Sequence, residues 1–330
     1  YGPYRQSERQ RTYVPYLERL LAEGKAFYCQ HSEAELEAER ETLMATSKNP
    51  VHSCQYRDDG ARDGIIRFKT PAGRTLAFTD FIRGGISFAS DLLGDFSIAK
   101  NLETPLYNFA VVIDDHEMKI SHVIRGEDHI SNTPKQLLIH KALGLPQPAY
   151  AHLPLILGPD RAKLSKRHGA TSIGEFREQG YLADALVNFM ALLGWNPGGD
   201  REIFKMSELI EHFDMAKVQK AGAVFDRAKL DWMNGEYIRR KPREELVPIA
   251  REYLPGFSAE ETERALILEQ SRIQTLGELH QHVGYLKVEP NYPPELLRWK
   301  QMTGDGIRQS LERAARLVGR IPDENFTTGA

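Results

Sequence analysis

One stretch constrains the fold more than any other. Residues 120–124 read as a strand, residues 133–143 carry a helical apolar pattern, and residues 150–157 read as a second strand. Strand, helix and strand of these lengths read as a βαβ unit in a parallel sheet. Pro134 lies at the start of the helix, where its missing N–H has no intrahelical partner to lose. The first strand ends in Arg125-Gly126-Glu127-Asp128-His129. In open α/β sheets ligands bind beyond the carboxyl ends of the strands, so this is a candidate ligand edge.

With 330 residues the chain is too long for one ordinary core, and two or three domains are expected. An apolar content of 41% and a charged content of 27% are those of a soluble globular protein. No apolar run is long enough to span a membrane, and no signal-peptide pattern opens the chain. Two cysteines argue against a disulfide framework and suit a reducing compartment. A net charge of −3 does not mark a nucleic-acid binder, so any such surface must be local.

Around the βαβ unit, residues 7–24 read as a helix and 27–29 as a short strand. A helix over 33–44 has Ser32 as N-cap and Glu35 three residues on, a capping box. Residues 46–64 are rich in turn formers. Strands follow at 65–69, 76–81, 86–88 and 96–98, and the apolar segment 106–113 is expected to be buried. Ser172 and Glu175 form a second capping box. Beyond it, helices are expected at 182–194, 206–213, 216–221, 226–236, 242–253, 258–270, 274–284 and 307–320.

Four groups of residues carry chemistry. Arg161, Lys163, Lys166 and Arg167, with Ser165, crowd into seven positions without an acid, just past the turn Gly158-Pro159-Asp160. Such a run suits a mobile loop that meets a polyanion, and a lysine pair can counter charge on a leaving pyrophosphate. In the second group, Arg125 can grip a carboxylate with two parallel hydrogen bonds. There Asp128 or His129 could reach a ribose or a base, and a surface ion-pair cluster is the alternative. Tyr107 offers a hydroxyl to a substrate carboxylate, while Asp114 and Asp115 read as a cap or turn. In the third, Cys29, His31, His52 and Cys54 are chemically suited to tetrahedral zinc, with Tyr56 as a further candidate; free cysteines and surface histidines are the alternative. In the fourth, residues 215–241 carry Lys217, Lys220, Arg227, Lys229, Arg239, Arg240 and Lys241 against Asp226, Asp231 and Glu236, a basic face suited to a phosphate backbone or simply to solvent. Neither a P-loop nor a G-x-G-x-x-G fingerprint is present.

Taken in order, Leu106-Tyr107-Asn108-Phe109-Ala110, Val123 to His129, Asn132-Thr133-Pro134 and Lys163-Leu164-Ser165-Lys166-Arg167 resemble the glutamyl-tRNA synthetases, class I aminoacyl-tRNA synthetases. The basic pentad is similar to the class I signature written K-M-S-K-S. Residues 191–195 and 225–234 also fit, so the resemblance covers nearly the whole chain.

The resemblance implies an α/β fold followed by an all-α part. Residues 1–24 would belong to a partial Rossmann-like catalytic domain, 25–104 to a β-rich acceptor-stem-binding insert and 105–170 to the second half of the catalytic domain. Residues 171–240 would contact the stem, and 241–330 would form part of a helical anticodon-binding domain. It implies a cytoplasmic ligase, a monomer, with ATP (and its Mg2+), L-glutamate and tRNA(Glu) as partners. Tyr107 and Arg125 would line the glutamate pocket, and Asp128 and the backbone near Ile156 would face ATP. Lys163, Ser165, Lys166 and Arg167 would serve catalysis, the two lysines by stabilising phosphate charge. Some members have Asn where Val111 stands here, and some hold zinc through C-x-C, whose second Cys is His31 here. The family's H-I-G-H-like motif would lie upstream of Tyr1 and the distal anticodon domain beyond Ala330, so the piece is expected to be inactive alone. Its alternatives are the glutaminyl enzyme, a truncated relative that modifies a tRNA base, and a tRNA-binding module without catalysis.

Overall fold

The computed structural model describes residues 1–46, 51–52, 54–169, 172–288 and 291–321. The chain forms two compact units. The first comprises Tyr1–Leu157, Gly194–Gly198 and His212–Ala223. The second comprises Gly158–Leu193, Gly199–Glu211 and Val224–Ala330. The first is α/β and the second almost wholly helical, as the sequence leads one to expect.

In the first unit, α1 (Gln10–Ala22) is followed by β1 (Ala26–Cys29), α2 (Glu33–Ala45) and β2 (Ile65–Phe68). Next come β3 (Thr75–Asp80), β4 (Gly84–Ala89), β5 (Ser97–Asn101) and β6 (Thr104–Pro105). Helix α3 (Tyr107–Glu117), β7 (His122–Gly126), α4 (Thr133–Leu143), β8 (Ala149–Leu153) and β9 (Ile156–Leu157) complete it. One antiparallel sheet runs β1-β2-β5-β6. A second runs β4-β3-β8-β7.

The βαβ unit forms as expected. β7 and β8 pair in parallel from His122 opposite Ala149 to Gly126 opposite Leu153, with α4 as the crossover. The β3–β4 hairpin extends this sheet, because β3 pairs in parallel with β8 at Asp80 and Tyr150. The core is built from Tyr13, Leu17 and Leu20 of α1, Ile66 and Ile98 of the first sheet, Phe109 and Ile113 of α3, and Ile139 and Leu143 of α4. Each fully buried Leu or Ile contributes about 1.5–3 kcal/mol relative to exposure. The spacing of Tyr13, Leu17 and Leu20 is what turns one face of α1 inward.

Several expectations need correction. The run 150–157 is two strands, β8 and β9, because Pro154 has no N–H to continue the ladder. The segment 106–113 is the start of α3, with Phe109, Ala110, Val112 and Ile113 buried. Asp114 and Asp115 therefore lie inside a helix, not in a turn or cap. Asp114 takes a hydrogen bond of 2.7 Å from Arg9 Nε and one of 2.9 Å from the Tyr13 hydroxyl, tying the start of α1 to α3. The expected helix at 216–221 is only a short 3-10 turn, Met215–Lys217. Val218 bridges to Trp195, Gln219 N–H donates to Gly194 O, and a Cβ on Gly222 would lie 3.1 Å from Leu155 O. Tertiary pairing there outcompetes local helix propensity.

The second unit contains α5 (Ile173–Glu178), α6 (Ala183–Leu192), α7 (Met206–His212) apart from its last residue, α8 (Arg227–Arg240), α9 (Arg243–Ala250), α10 (Ala259–Glu269), α11 (Leu279–Val283) and α12 (Gly304–Val318). Ser172 caps α5 and Ser258 caps α10, each in a full capping box. Asn234, fully buried in α8, accepts from Leu182 N–H at 2.8 Å and donates to Gln274 O at 2.6 Å. Gly180, at φ +86°, lets two backbones meet: a Cβ there would lie 2.3 Å from Gly277 N. Residues 322–330 of the expected anticodon-binding domain lie outside the described residues.

Two outcomes follow from the first unit. Asp114→Ala leaves the Arg9 guanidinium, 6% exposed, without its carboxylate and should cost about 3–5 kcal/mol. Urea unfolding measures this, and a loss under 1 kcal/mol would show that the pair does not anchor α1. His140 in α4 is 1% exposed, and among the described residues neither ring nitrogen meets a hydrogen-bond partner in good geometry. Burial, with the nearby His116, pushes its pKa down from 6.5 to about 4. Between these values the unfolded chain holds the extra proton, so stability is full above pH 6.5 and falls as acid approaches pH 4. His140→Leu should flatten that slope by up to about 1.4 kcal/mol per pH unit. Unchanged urea midpoints against pH would rule this out.

Candidate active site

At the carboxyl end of β7, Arg125 stands opposite His152 of β8. Its guanidinium is held on two sides. Nε donates to His152 Nε2 at 3.2 Å, and Nη2 donates to Thr133 Oγ1 at 2.9 Å and Gln136 Oε1 at 2.8 Å. The group also lies 5.7 Å from the centre of the Tyr150 ring. Three of the five guanidinium N–H donors are thus engaged, and the Nη1 pair makes no hydrogen bond among the described residues. Arg125 can meet an anion through Nη1. The two-pronged grip expected from the sequence would require one of the existing bonds to be exchanged.

Tyr107, half-exposed at the start of α3, is brought to the same edge. Its hydroxyl lies 3.3 Å from His129 Nδ1, and His129 also meets Asn132 Nδ2 at 3.3 Å. Gln136 is set in turn by Asn108, whose Oδ1 accepts from Gln136 Nε2 at 3.0 Å. Val111 is half-buried in the same helix. Tyr107, Arg125 and His129 therefore share one network within the first unit.

Glu127 has a structural role. It accepts from Leu155 N–H at 2.9 Å and pairs with Arg83 Nη2 at 2.7 Å. The ion-pair alternative holds for this residue. Asp128 is exposed, and its Oδ1 sits 2.6 Å from where a Gly126 Cβ would be, so the glycine makes room for it. Ile156 is 36% exposed on β9.

Beneath Arg125 lies a pair that sequence reasoning missed. Asp80, at the end of β3, has no exposed side-chain surface, and neither has His152. Asp80 Oδ1 accepts from the N–H groups of Ile82 (2.9 Å), Arg83 (2.8 Å) and His152 (3.2 Å). Oδ2 lies 2.7 Å from His152 Nδ1. Burial alone would raise the pKa of Asp80, but these donors outweigh it and hold it below the usual carboxylate range. Burial pushes His152 down, against the pull of Asp80. The signal was an ionisable residue closing β3 and another inside the apolar strand β8.

In the second unit, the basic run forms a cross-braced turn. Asp160 Oδ1 accepts from Ala162 N–H at 2.9 Å, while Oδ2 pairs with Arg167 Nη2 at 2.8 Å. Ser165 N–H donates to His168 Nδ1 at 3.1 Å, and the His168 ring fills the space that a Gly158 side chain would need. The expected mobile loop thus has an internal frame, and its acid is the residue just before the basic run. Lys163 and Ser165 are exposed, whereas the side chain of Lys166 lies outside the described residues. The turn borders a cleft of about 540 Å³ lined by Pro159, Leu164, His168, Phe225 and Arg227.

The basic face read along 215–241 is largely paired once folded. Lys229 meets Glu202, Arg227 meets Asp231 at 3.3 Å, and Glu236 takes Arg239 at 2.8 Å and Arg240 at 2.9 Å. Lys241 approaches Glu245 at 3.5 Å. Among the described residues only Lys217 and Lys220 of the seven lack an acidic partner. Exposed pairs are weak, so the face keeps positive donors but not the free surplus counted from the sequence.

Back in the first unit, Cys29, His31, His52 and Cys54 gather, with all ligand atoms within 4.8 Å of one another. Cys29 Sγ is 3.4 Å from His31 Nδ1 and 3.8 Å from His52 Nε2, and Cys54 Sγ is 3.7 Å from His31 Nδ1. A tetrahedral zinc with ordinary Zn–S and Zn–N lengths has S···N edges of about 3.6 Å. His52 Nδ1 meets the Glu39 carboxylate, the outer partner that metal-binding histidines usually have. Tyr56 stacks edge-on against His31, with ring centres 4.9 Å apart, and forms a wall of the cluster.

Residues 1–232 match the family model described as tRNA synthetases class I (E and Q), catalytic domain. A glutamate–tRNA ligase of Natranaerobius thermophilus is 50% identical over 264 residues, covering 77% of this chain and 54% of the relative. One from Carboxydothermus hydrogenoformans is 48% identical over 305 residues, covering 85% of this chain and 63% of the relative. The chain thus spans little more than half the length of these relatives. The crystal structure of a glutamate tRNA ligase from Elizabethkingia meningosepticum, in complex with its amino acid, superposes with a TM-score of 0.75 at 30% identity. That match covers 97% of this chain and 75% of the other. No described helix is long and apolar enough to cross a membrane.

Proposed function

Because this chain belongs to the class I tRNA synthetase (E and Q) catalytic-domain family, we propose that it is the part of a glutamate–tRNA ligase that binds glutamate and supports its activation by ATP. The carrying observation is Arg125, braced on Nε and Nη2 and open on Nη1, beside the Tyr107 hydroxyl network at the sheet's carboxyl edge. That pair suits the carboxylates of an acidic amino acid. The relatives named above are glutamate ligases, which favours glutamate over glutamine.

On this reading the α-carboxylate of glutamate attacks the α-phosphate of ATP. Glutamyl-adenylate forms and pyrophosphate leaves, with Mg2+ accompanying the nucleotide. A terminal ribose hydroxyl of tRNA(Glu) then takes the acyl group and releases AMP. The protein contributes position and charge, not a covalent intermediate. Arg125 and Tyr107 orient the amino acid, and Asp128 and the backbone near Ile156 face the nucleotide. Lys163 and Lys166, with Ser165 and Arg167 in the same turn, counter charge on the leaving phosphates. Residues 25–104 would receive the acceptor end, 171–240 the stem and 241–330 the anticodon side.

The family resemblance also supports zinc in the Cys29-His31-His52-Cys54 cluster, whose edges and Glu39 partner fit the ion. When bound, it would pin β1 to residues 52–58 as a structural cross-link, remote from phosphate chemistry.

Lys166→Ala, made in the complete gene product, should lower glutamate-dependent ATP–pyrophosphate exchange about a hundredfold. Binding of tRNA(Glu) should change less than about threefold, since one phosphate contact among several carries little affinity. Equal exchange in variant and parent would refute the role. Salt-sensitive tRNA binding by the parent with no exchange would favour a tRNA-binding module. For the metal, protein made in zinc-supplemented medium should carry about one zinc per chain, and Cys54→Ser should lose it together with thermal stability. A metal-free parent would sink the assignment.

A further inference from the structure

The geometry around Arg125 points beyond the residues that would touch the amino acid. We propose that Asp80 and His152 are a positioning pair: the buried carboxylate fixes the His152 tautomer, and that tautomer holds Arg125 in its binding orientation. The proposal rests on the reading of Arg125 as the cation that meets glutamate.

The argument starts from donors and acceptors. Asp80 accepts from three backbone N–H groups and faces His152 Nδ1 at 2.7 Å. An ionised carboxylate can only accept, so the imidazole proton must sit on Nδ1. His152 Nε2 is then a bare lone pair, and Arg125 Nε–H points at it from 3.2 Å. With the other tautomer, Nε2–H would face Nε–H, two donors opposed in a buried site. An imidazolium would present the same conflict. The Thr133 hydroxyl, 3.2 Å from Nε2, already accepts from Arg125 Nη2 and has the carbonyl of His129 at 3.3 Å to donate to.

The charged and titratable groups facing His152 come from four elements. Asp80 lies on β3, Arg125 on β7, His129 in the turn before α4, and Tyr150 on β8 itself, with its ring 6.2 Å away. Arg125 and His129 disfavour a second proton on the ring, and Asp80 favours one. The chain from Asp80 through His152 to Arg125 crosses three neighbouring strands of one sheet, β3, β8 and β7. Each step is a side-chain hydrogen bond of 3.2 Å or less. Arg125 therefore has its Nε and Nη2 directions set before any ligand arrives, and among the described residues Nη1 alone has no partner. Such an arrangement lowers the ordering cost of binding.

The test uses the complete gene product, 15N-labelled at histidine and arginine. Long-range proton–nitrogen spectra should show His152 protonated on Nδ1 at neutral pH, and a proton on Nε2 overturns the proposal. Asp80→Asn, whose amide can donate to Nδ1, should move the proton to Nε2 and weaken L-glutamate binding about tenfold, the loss of one charge-assisted hydrogen bond. Asp80→Glu should restore the Nδ1–H signal and most of the affinity. A shifted proton with unchanged glutamate affinity would sink the positioning role. So would weakened binding with the proton still on Nδ1. In case Asp80→Asn does not fold, His152→Gln, which keeps an acceptor for Arg125, should bind glutamate markedly tighter than His152→Leu, and equal affinities count against the pair. Arg125→Ala separates the two levels of the argument. If it binds glutamate as the parent does, or the parent shows no saturable binding, the Arg125 reading fails, whatever the tautomer spectra report.

Discussion

A carboxylate shut away from water is costly unless donors surround it, and Asp80 is surrounded. Its oxygens take the N–H groups of Ile82 and Arg83, where β3 turns into β4, and both the backbone and the ring of His152 on β8. Without them a charge would be stranded in a site where neither side chain has exposed surface. The pairing of β3 with β8 at this residue is therefore cemented by side-chain as well as backbone bonds. Because β8 in turn pairs with β7 in the register that sets Arg125 opposite His152, the geometry of the edge that presents Arg125 depends on this one buried acid.

The same logic recurs elsewhere in less demanding form. Glu127 ties the end of β7 to Leu155 and Arg83, so the acidic residue nearest Arg125 in the chain is turned to structural use and does not compete for a ligand's position. Asp114 does likewise for Arg9 and Tyr13. Asp128 lies exposed beside Gly126, while Asp115 stands further along α3 near the start of β7, where burial raises its pKa to about 6.

In the second unit, the basic turn is shaped by Asp160 and His168, which sit on either side of the lysines in sequence. Asp160 braces Arg167, which stays 63% exposed alongside the exposed Arg161, Lys163 and Ser165. Counting cations along a segment overstates the positive surface, as the pairing of Lys229 with Glu202 and of Lys241 with Glu245 also illustrates. Local charge becomes a surface property only after the acids from other helices are in place.

Much of this was legible in the residues alone. The βαβ unit, two capping boxes, the helical second half and the Cys/His cluster follow from short-range patterns: apolar period, cap chemistry and ligand type. Those patterns are local because backbone hydrogen bonding and side-chain periodicity act over a few residues. Tyr107 and Arg125 could be singled out because motif residues sit at strand and helix ends. What sequence could not yield was any relation between distant residues. That Asp80 lies under His152, that Arg125 has three donors already engaged, and that residues 216–221 follow Trp195 and Leu155 instead of coiling are outcomes of which strands become neighbours. Strand order is decided by the burial of whole faces across the sheet, a free energy summed over residues far apart in the chain, and no window of sequence contains it.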